Sequence, residues 1–289
     1  MTAILILSYL LYAFNAPLIR LIEGYPFRFE WLGQILSRCQ QAKYRHYYSE
    51  MHNAQEKIDE IVIQQNRLVS RYNLLSSEDK TNHKDYSRLE QWKKGWQALR
   101  NAANQILYYH YLYPAGNEAD IVPTLLGNTI ASFEKYAYDR YGINAVIMWP
   151  RLVPILQDQG FVPFVENEKT VFDFLLNLAF LILLLAIEVC LVTSIYNPLK
   201  GGLISIGLGL VAFLLYKASV VGALNWGGTI EVAFDMYRGH LREALRLKEP
   251  TSLEQEQNDW RDLSKFYVDG VPFGRFSYTE KSEIETDQV

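Results

Sequence analysis

The chain has 289 residues, with 28 basic against 32 acidic side chains and a formal net charge of −4, so no overall basic balance points to nucleic acid. Its mean hydropathy of −0.07 averages very apolar segments with a strongly polar middle, as in a membrane protein with a sizeable aqueous part. Only two cysteines occur, Cys39 and Cys190; the second lies in an apolar run, which excludes a disulfide framework and fits an aqueous part facing a reducing cytoplasm.

Ala3 to Leu21 opens the chain as an apolar run that no Lys or Arg precedes, which predicts an uncleaved span (1–24) rather than a secretory signal. The positive-inside rule keeps Arg20, Arg28, Arg38, Lys43 and Arg45 in the cytoplasm and puts the N-terminus outside. Ser8, Tyr12 and Asn15 share one helical face within about 60°, and Pro17 is expected to kink or end the helix.

Residues 25–165 read as a cytoplasmic helical domain. Met51, Ala54, Ile58, Ile61, Gln65, Leu68, Tyr72 and Leu75 advance in steps of three and four, a heptad seam with Gln65 as its polar register residue. The spacing resumes with Leu89, Trp92, Trp96, Leu99, Ala103 and Ile106, which predicts an antiparallel hairpin over about 47–112, closed by Pro114 and Gly116. Its charged residues, such as Glu56, Lys57, Lys93 and Arg100, read as solvated faces. Further on, Thr124 starts a helix and Gly142 ends it in a left-handed cap. Pro150 and Pro154 are expected to break the next segment into short pieces. Arg140 and Arg151 either anchor at a membrane interface or bind an anionic headgroup or phosphate-bearing ligand through their fork geometry.

Val171 to Ser194 is long enough to cross a bilayer core. Within it Asn177 falls about 40°, and Glu188 about 60°, from Asp173 at roughly 100° per residue, so the three share a face. They read as candidate pore-lining groups with Ser8, Tyr12 and Asn15, or else as interhelical glue. After a short turn at 196–202, Leu203 to Trp226 supplies another span, with a small-residue stripe of Ser205, Gly209, Ala212 and Ser219 for close packing. Lys217 either snorkels to the headgroups or attracts anions. The second and third spans thus occupy 166–227. Gly227 and Gly228 are expected to turn the chain into an amphipathic juxtamembrane helix, where Arg238, Arg242 and Arg246 form a basic row for lipid or for docking on the domain. Residues 228–289 hold that helix and the tail.

The segments LYAFNAPLIRLIEGY, VPTLLGNTIASFEKYAYDRYGINAVIMWPRL and VAFDMYRGHLREAL resemble a family of bacterial membrane proteins sharing the pattern PTxLGNxxxxxExYxxxRYGxxxxxxWPRL. Asn128, Glu134, Tyr141, Gly142 and Trp149 carry the pattern here. The resemblance covers both membrane portions and Pro123 to Leu152 but not the hairpin, and it transfers no catalytic residue. The layout also resembles transmembrane effectors of anti-phage defence, such as the Hailong-type channel partner of a nucleotidyltransferase. That resemblance implies a bacterial inner-membrane channel regulated by a nucleotide or oligonucleotide made by a partner enzyme.

No Walker loop, HExxH, CxxC or GxSxG occurs, and the histidines His46, His52, His83, His110 and His240 lack partners at ligand spacing. The expectation is therefore no enzyme, no cofactor and no metal. The predicted fold is an all-α membrane protein with three transmembrane helices and a cytoplasmic helical hairpin domain. Three spans cannot surround a water-filled path, so a conducting form needs a homo-oligomer in the bilayer. A channel or membrane-permeabilising effector, gated through its cytoplasmic domain, is the leading expectation; a non-conducting scaffold recruiting a partner through the hairpin is the alternative.

Overall fold

The chain carries long runs of helix-forming residues with few internal breakers, and the computed structural model, which describes residues 2–24, 26, 30–73, 84–114, 116 and 118–270, is all-helical with no strand among them. In chain order the helices are α1 (Thr2–Glu23), α2 (Trp31–Asn73), α3 (Lys84–Leu112), α4 (Leu125–Tyr141), α5 (Ala145–Asp158), α6 (Val162–Tyr196), α7 (Pro198–Ala244) and α8 (Leu253–Asp269).

The antiparallel pair α6 and α7 is the spine. Asn197 alone separates them; its side chain accepts from the Lys200 N–H at 3.2 Å, and Pro198 opens α7 where a missing N–H costs nothing. The turn expected to run through Gly201 and Gly202 is thereby shortened to one residue. Both glycines are helical, and Gly201 packs against Thr193. The small stripe of α7 is used in part: Ala212 and Ser219 are buried, as is Gly222, whose Cβ would lie 3.1 Å from the Phe172 Cα, whereas a Cβ on Gly209 would meet nothing within 4 Å. Nearer Asn197 the pair presents Leu184, Leu185, Ile187 and Leu191 on α6 and Leu203, Ile206, Leu210 and Phe213 on α7 outward. These two helices are long and apolar enough to cross a membrane.

At the other end α4 and α5 lie on α7, and α8 packs on α4 and α5. The core there contains Phe133, Met148, Leu152, Phe172, Phe234 and Trp260. Trp226 joins the two halves, stacked on Phe172 with ring centroids 5.6 Å apart and edge-on to Phe133 at 5.1 Å. Tyr216 fixes the start of α4 by accepting a hydrogen bond from the Leu126 N–H at 3.2 Å. Helix α1 rests on α4 and touches α6, while α2 and α3 pair as a hairpin whose second arm reaches α4.

Several expected breaks are absent. Pro17 lies inside α1, and Pro150 and Pro154 lie inside α5 on its exposed side, where the carbonyls they leave unpaired stay open. Gly227 and Gly228 do not turn the chain, because α7 runs unbroken for 47 residues, about 70 Å. Gly227 is buried where any Cβ would overlap the Phe133 ring. Tertiary packing thus outweighs the helix penalty of about 1 kcal/mol per glycine. The hairpin is longer than its seam suggested, since α2 begins at Trp31. Ala54 is buried and Met51, Ile58 and Ile61 are half-buried as expected. On α3 the seam is rotated: Ala102 is buried, whereas Trp96 is 50% exposed and Ala103 is exposed. The side chains of Gln65, Leu68, Tyr72, Leu89 and Trp92, together with Leu75 and the chain end from 271, lie outside the described residues.

The two glycines should respond oppositely to alanine. Gly227→Ala overpacks the Phe133 site and should cost about 1–3 kcal/mol, whereas at Gly228, where a Cβ meets nothing within 4 Å, alanine should stabilise by up to about 1 kcal/mol. Thermal unfolding in detergent of both variants checks this; destabilisation by Gly228→Ala would restore the turn.

Candidate functional site

The two halves of the motif do different work. In the first, the Thr124 hydroxyl caps α4 by accepting from the Gly127 N–H at 3.0 Å while donating to the Glu23 carbonyl at 2.9 Å. Asn128 is fully buried: its Oδ1 accepts from the Val122 N–H at 2.9 Å, and its Nδ2 donates to the carbonyls of Val122 at 3.0 Å and Thr124 at 2.7 Å. Gly127 leaves room for the Glu23 carbonyl. This part ties the end of α1 to the start of α4.

The second half builds a polar network across three helices. The Tyr136 and Tyr141 hydroxyls of α4 donate to the two carboxylate oxygens of Asp235 on α7, at 2.9 and 2.8 Å. Burial, then the bond to Asp235, pushes both phenols above their ordinary range. The Arg238 guanidinium lies 4.1 Å over the Tyr141 ring and pairs through Nε with Glu256 of α8 at 3.1 Å. Arg140 covers the Tyr136 ring at 4.8 Å. Gly142, at φ 76°, ends α4 in the left-handed region and admits the Gln257 backbone where a side chain would collide. One turn beyond, buried Arg242 pairs with Asp259 and donates from Nε to the Lys248 carbonyl at 2.6 Å. Trp149 meets the Phe234 ring at 6.1 Å, and Arg151 lies 3.6 Å over the Tyr267 ring.

These contacts redirect the predicted basic sites. Arg238 and Arg242 do not present a row to a lipid surface but hold α8 on α7, and Arg246 lies beyond the helix with φ 56°. Docking on the domain, not on a membrane surface, is the arrangement found. Asp235, Glu256, Gln257 and Asp259 were not legible as site residues. Asp235 and Arg238 share one predicted helix and the resembling segment VAFDMYRGHLREAL, but the tyrosines that meet Asp235 lie about a hundred residues away in α4.

The predicted polar face of α6 divides. Asn177 Nδ2 donates to Asn15 Oδ1 of α1 at 3.1 Å, and Asp173 forms an ion pair with Lys169 one turn earlier. Glu188 is exposed among Leu184, Leu185, Leu191 and Val192, and among the described residues no hydrogen bond or ion pair reaches it. Lys217 is exposed on α7, and the side chains of Ser8 and Tyr12 lie outside the described residues. No group of three His, Cys, Asp or Glu side chains among the described residues is placed to hold a metal.

Glu134 sits at the edge of the α4–α5–α7 junction. One side of it is open to solvent; crowding on the other, reinforced by the nearby Glu23 carboxylate and offset by Arg20, raises its carboxyl to about 7.

Comparison with protein-family models, curated proteins and solved structures gives no match. The fold and site define an all-helical protein in which two helices long enough to cross a membrane continue into a helical domain, locked by a tyrosine–carboxylate–arginine network.

Asp235→Leu leaves the Tyr136 and Tyr141 hydroxyls without their acceptor and should lower stability by about 1–3 kcal/mol, read by thermal unfolding; an unchanged melting temperature would show that the network is not structural. Because the folded Glu134 carboxyl titrates near 7 and the unfolded one near 4.5, its favourable contribution is complete below about 4.5 and lost as pH rises through 7. Glu134→Gln should therefore gain melting temperature over wild type at pH 8 and not at pH 4.

Proposed function

We propose that the chain is an oligomeric channel or membrane-permeabilising protein of the bacterial inner membrane, with its helical domain and C-terminus cytoplasmic, and that the domain gates it. In this reading α1 is a third span beside α6 and α7, held to α6 by the Asn15–Asn177 bond.

The observation that carries the reading is Glu188. An ionisable group facing lipid costs up to about 3 kcal/mol at a helix centre and less toward its ends; Glu188 lies toward the Asn197 end of α6, among exposed leucines. A second copy of the chain, or water in a path between copies, supplies what a single chain does not. Gating then has a mechanical basis: α7 runs without interruption from Pro198 near the apolar tip to the Asp235 network. Control by a nucleotide or oligonucleotide from a partner enzyme, and a role in phage defence, rest on the resemblance of layout alone.

Planar-bilayer recording of the reconstituted protein, paired with mass measurement in detergent, tests this. Discrete conductance from an assembly of several copies is expected, with Glu188→Leu changing unitary conductance or open probability at least severalfold. Silence from a monomer would overturn it. The rival, a non-conducting scaffold, is favoured by the exposed Trp96, Val62 and Ile63 on the hairpin and predicts that Glu188→Leu is without effect.

A further inference from the structure

Between α4, α5 and α7 lies a cavity of about 220 Å³ whose walls include Phe133, Trp149, Trp226 and Phe234, with Glu134 the one charged residue lining it. The rings come as two tilted pairs, Phe133 with Trp226 at 71° and Trp149 with Phe234 at 51°. Neither is stacked face to face, so in each pair one ring meets the other at an angle and not with its whole face. Phe172 stacks on one side of Trp226, which leaves Trp149 as the less encumbered indole. Both phenylalanines are buried and both tryptophans half-buried, so the rings are held in place rather than free on the surface.

Charge around the cavity decides what could enter. Near Glu134 stand Glu23 and Arg20 of α1, two carboxylates against one guanidinium. The ammonium of Lys169, 5.7 Å from the Trp226 centroid, is paired with Asp173 on its own helix. One carboxylate is thus left without a counter-charge, and α5 and α7 bring no charged side chain to the walls. An anion would meet repulsion. A neutral apolar guest would satisfy the rings but bury the carboxylate further, at a cost.

We infer that this cavity binds a small alkylated ammonium group, held over the Trp149 ring by cation–π attraction and against the Glu134 carboxylate. The crowding that raises the Glu134 carboxyl is relieved when a cation supplies the missing charge. The inference is separate from conduction, since it needs only this junction and not an oligomer.

The test is equilibrium dialysis of labelled choline against the full chain in phosphatidylglycerol nanodiscs, with 3,3-dimethylbutan-1-ol, choline's neutral counterpart, as competitor. Saturable uptake that the neutral alcohol displaces at least tenfold less well than unlabelled choline is expected. Glu134→Gln and Trp149→Leu should each weaken binding about tenfold, while Trp149→Phe, which keeps a ring, should retain most of it and shows that loss in the leucine variant is not misfolding. Absence of saturable uptake, or equal displacement by the neutral alcohol, overturns the proposal. Repeating the measurement in phosphatidylcholine nanodiscs separates the sources of this chemistry: suppressed choline uptake identifies a lipid headgroup as the occupant, and undiminished uptake a free cation.

Discussion

The contact on which the rest depends is the seat of Trp226 and Gly227 against Phe133 and Phe172. Phe172 stacks on Trp226 from α6, Phe133 meets it edge-on from α4, and the absent side chain of Gly227 gives Phe133 its place. Three helices converge there, at the level where the lipid-type surface of α6 and α7 gives way to the packed domain. A turn at this point would pull Phe133 out of its slot and expose Ile230, Ala233 and Phe234, all now buried. At roughly 1.5–3 kcal/mol for each large apolar side chain buried, that loss exceeds the helix penalty of two glycines. The continuity of α7 is therefore a consequence of packing, not of its local sequence.

Polar groups along this rod are matched to different degrees. In the domain they are largely matched: Asn128 uses its amide on three backbone groups, and Asp235 takes one tyrosine on each oxygen. The matching is incomplete in both parts: Arg242 Nη1 and Trp260 Nε1 in the domain, and Ser205 Oγ toward the apolar end, are buried without a partner. Asp173 and Asn177 each keep one buried side-chain oxygen without a partner, and Glu188 faces outward. Satisfied networks specify one arrangement; incompletely satisfied ones leave room for a neighbouring chain or water.

Much of this architecture was legible because it depends on local signals. The caps at Thr124 and Gly142, the lengths of the apolar runs, Ala212 and Ser219 of the small stripe of α7 and the half-buried positions Met51, Ile58 and Ile61 all reflect spacing or a single residue's conformational preference. The illegible features depend on distant partners. Gly227 and Gly228 look alike in sequence, yet one is fixed by a ring 94 positions earlier in the chain and the other faces open space. The basic row of Arg238 and Arg242 has the spacing of a lipid-binding face, and only the arrival of Glu256 and Asp259 turns it inward. The motif was visible as a pattern, but its meaning lay in Asp235, which sits outside it.

That placement bears on how the domain could act on the apolar helices. Asp235 and Arg238 lie on the same helix as Gly222 and Gly201, which set its close approach to α6. A helix that is continuous between two such points can carry rotation and translation from one to the other. Packed interfaces tend to switch between discrete arrangements instead of deforming smoothly. If a ligand or partner exchanged the Tyr136 and Tyr141 bonds to Asp235 for others, a shift of α7 as a unit would press against Thr193 and Phe172. The tightness of those glycine contacts would then make α6 move with it, and Glu188, carried on α6, would change its surroundings.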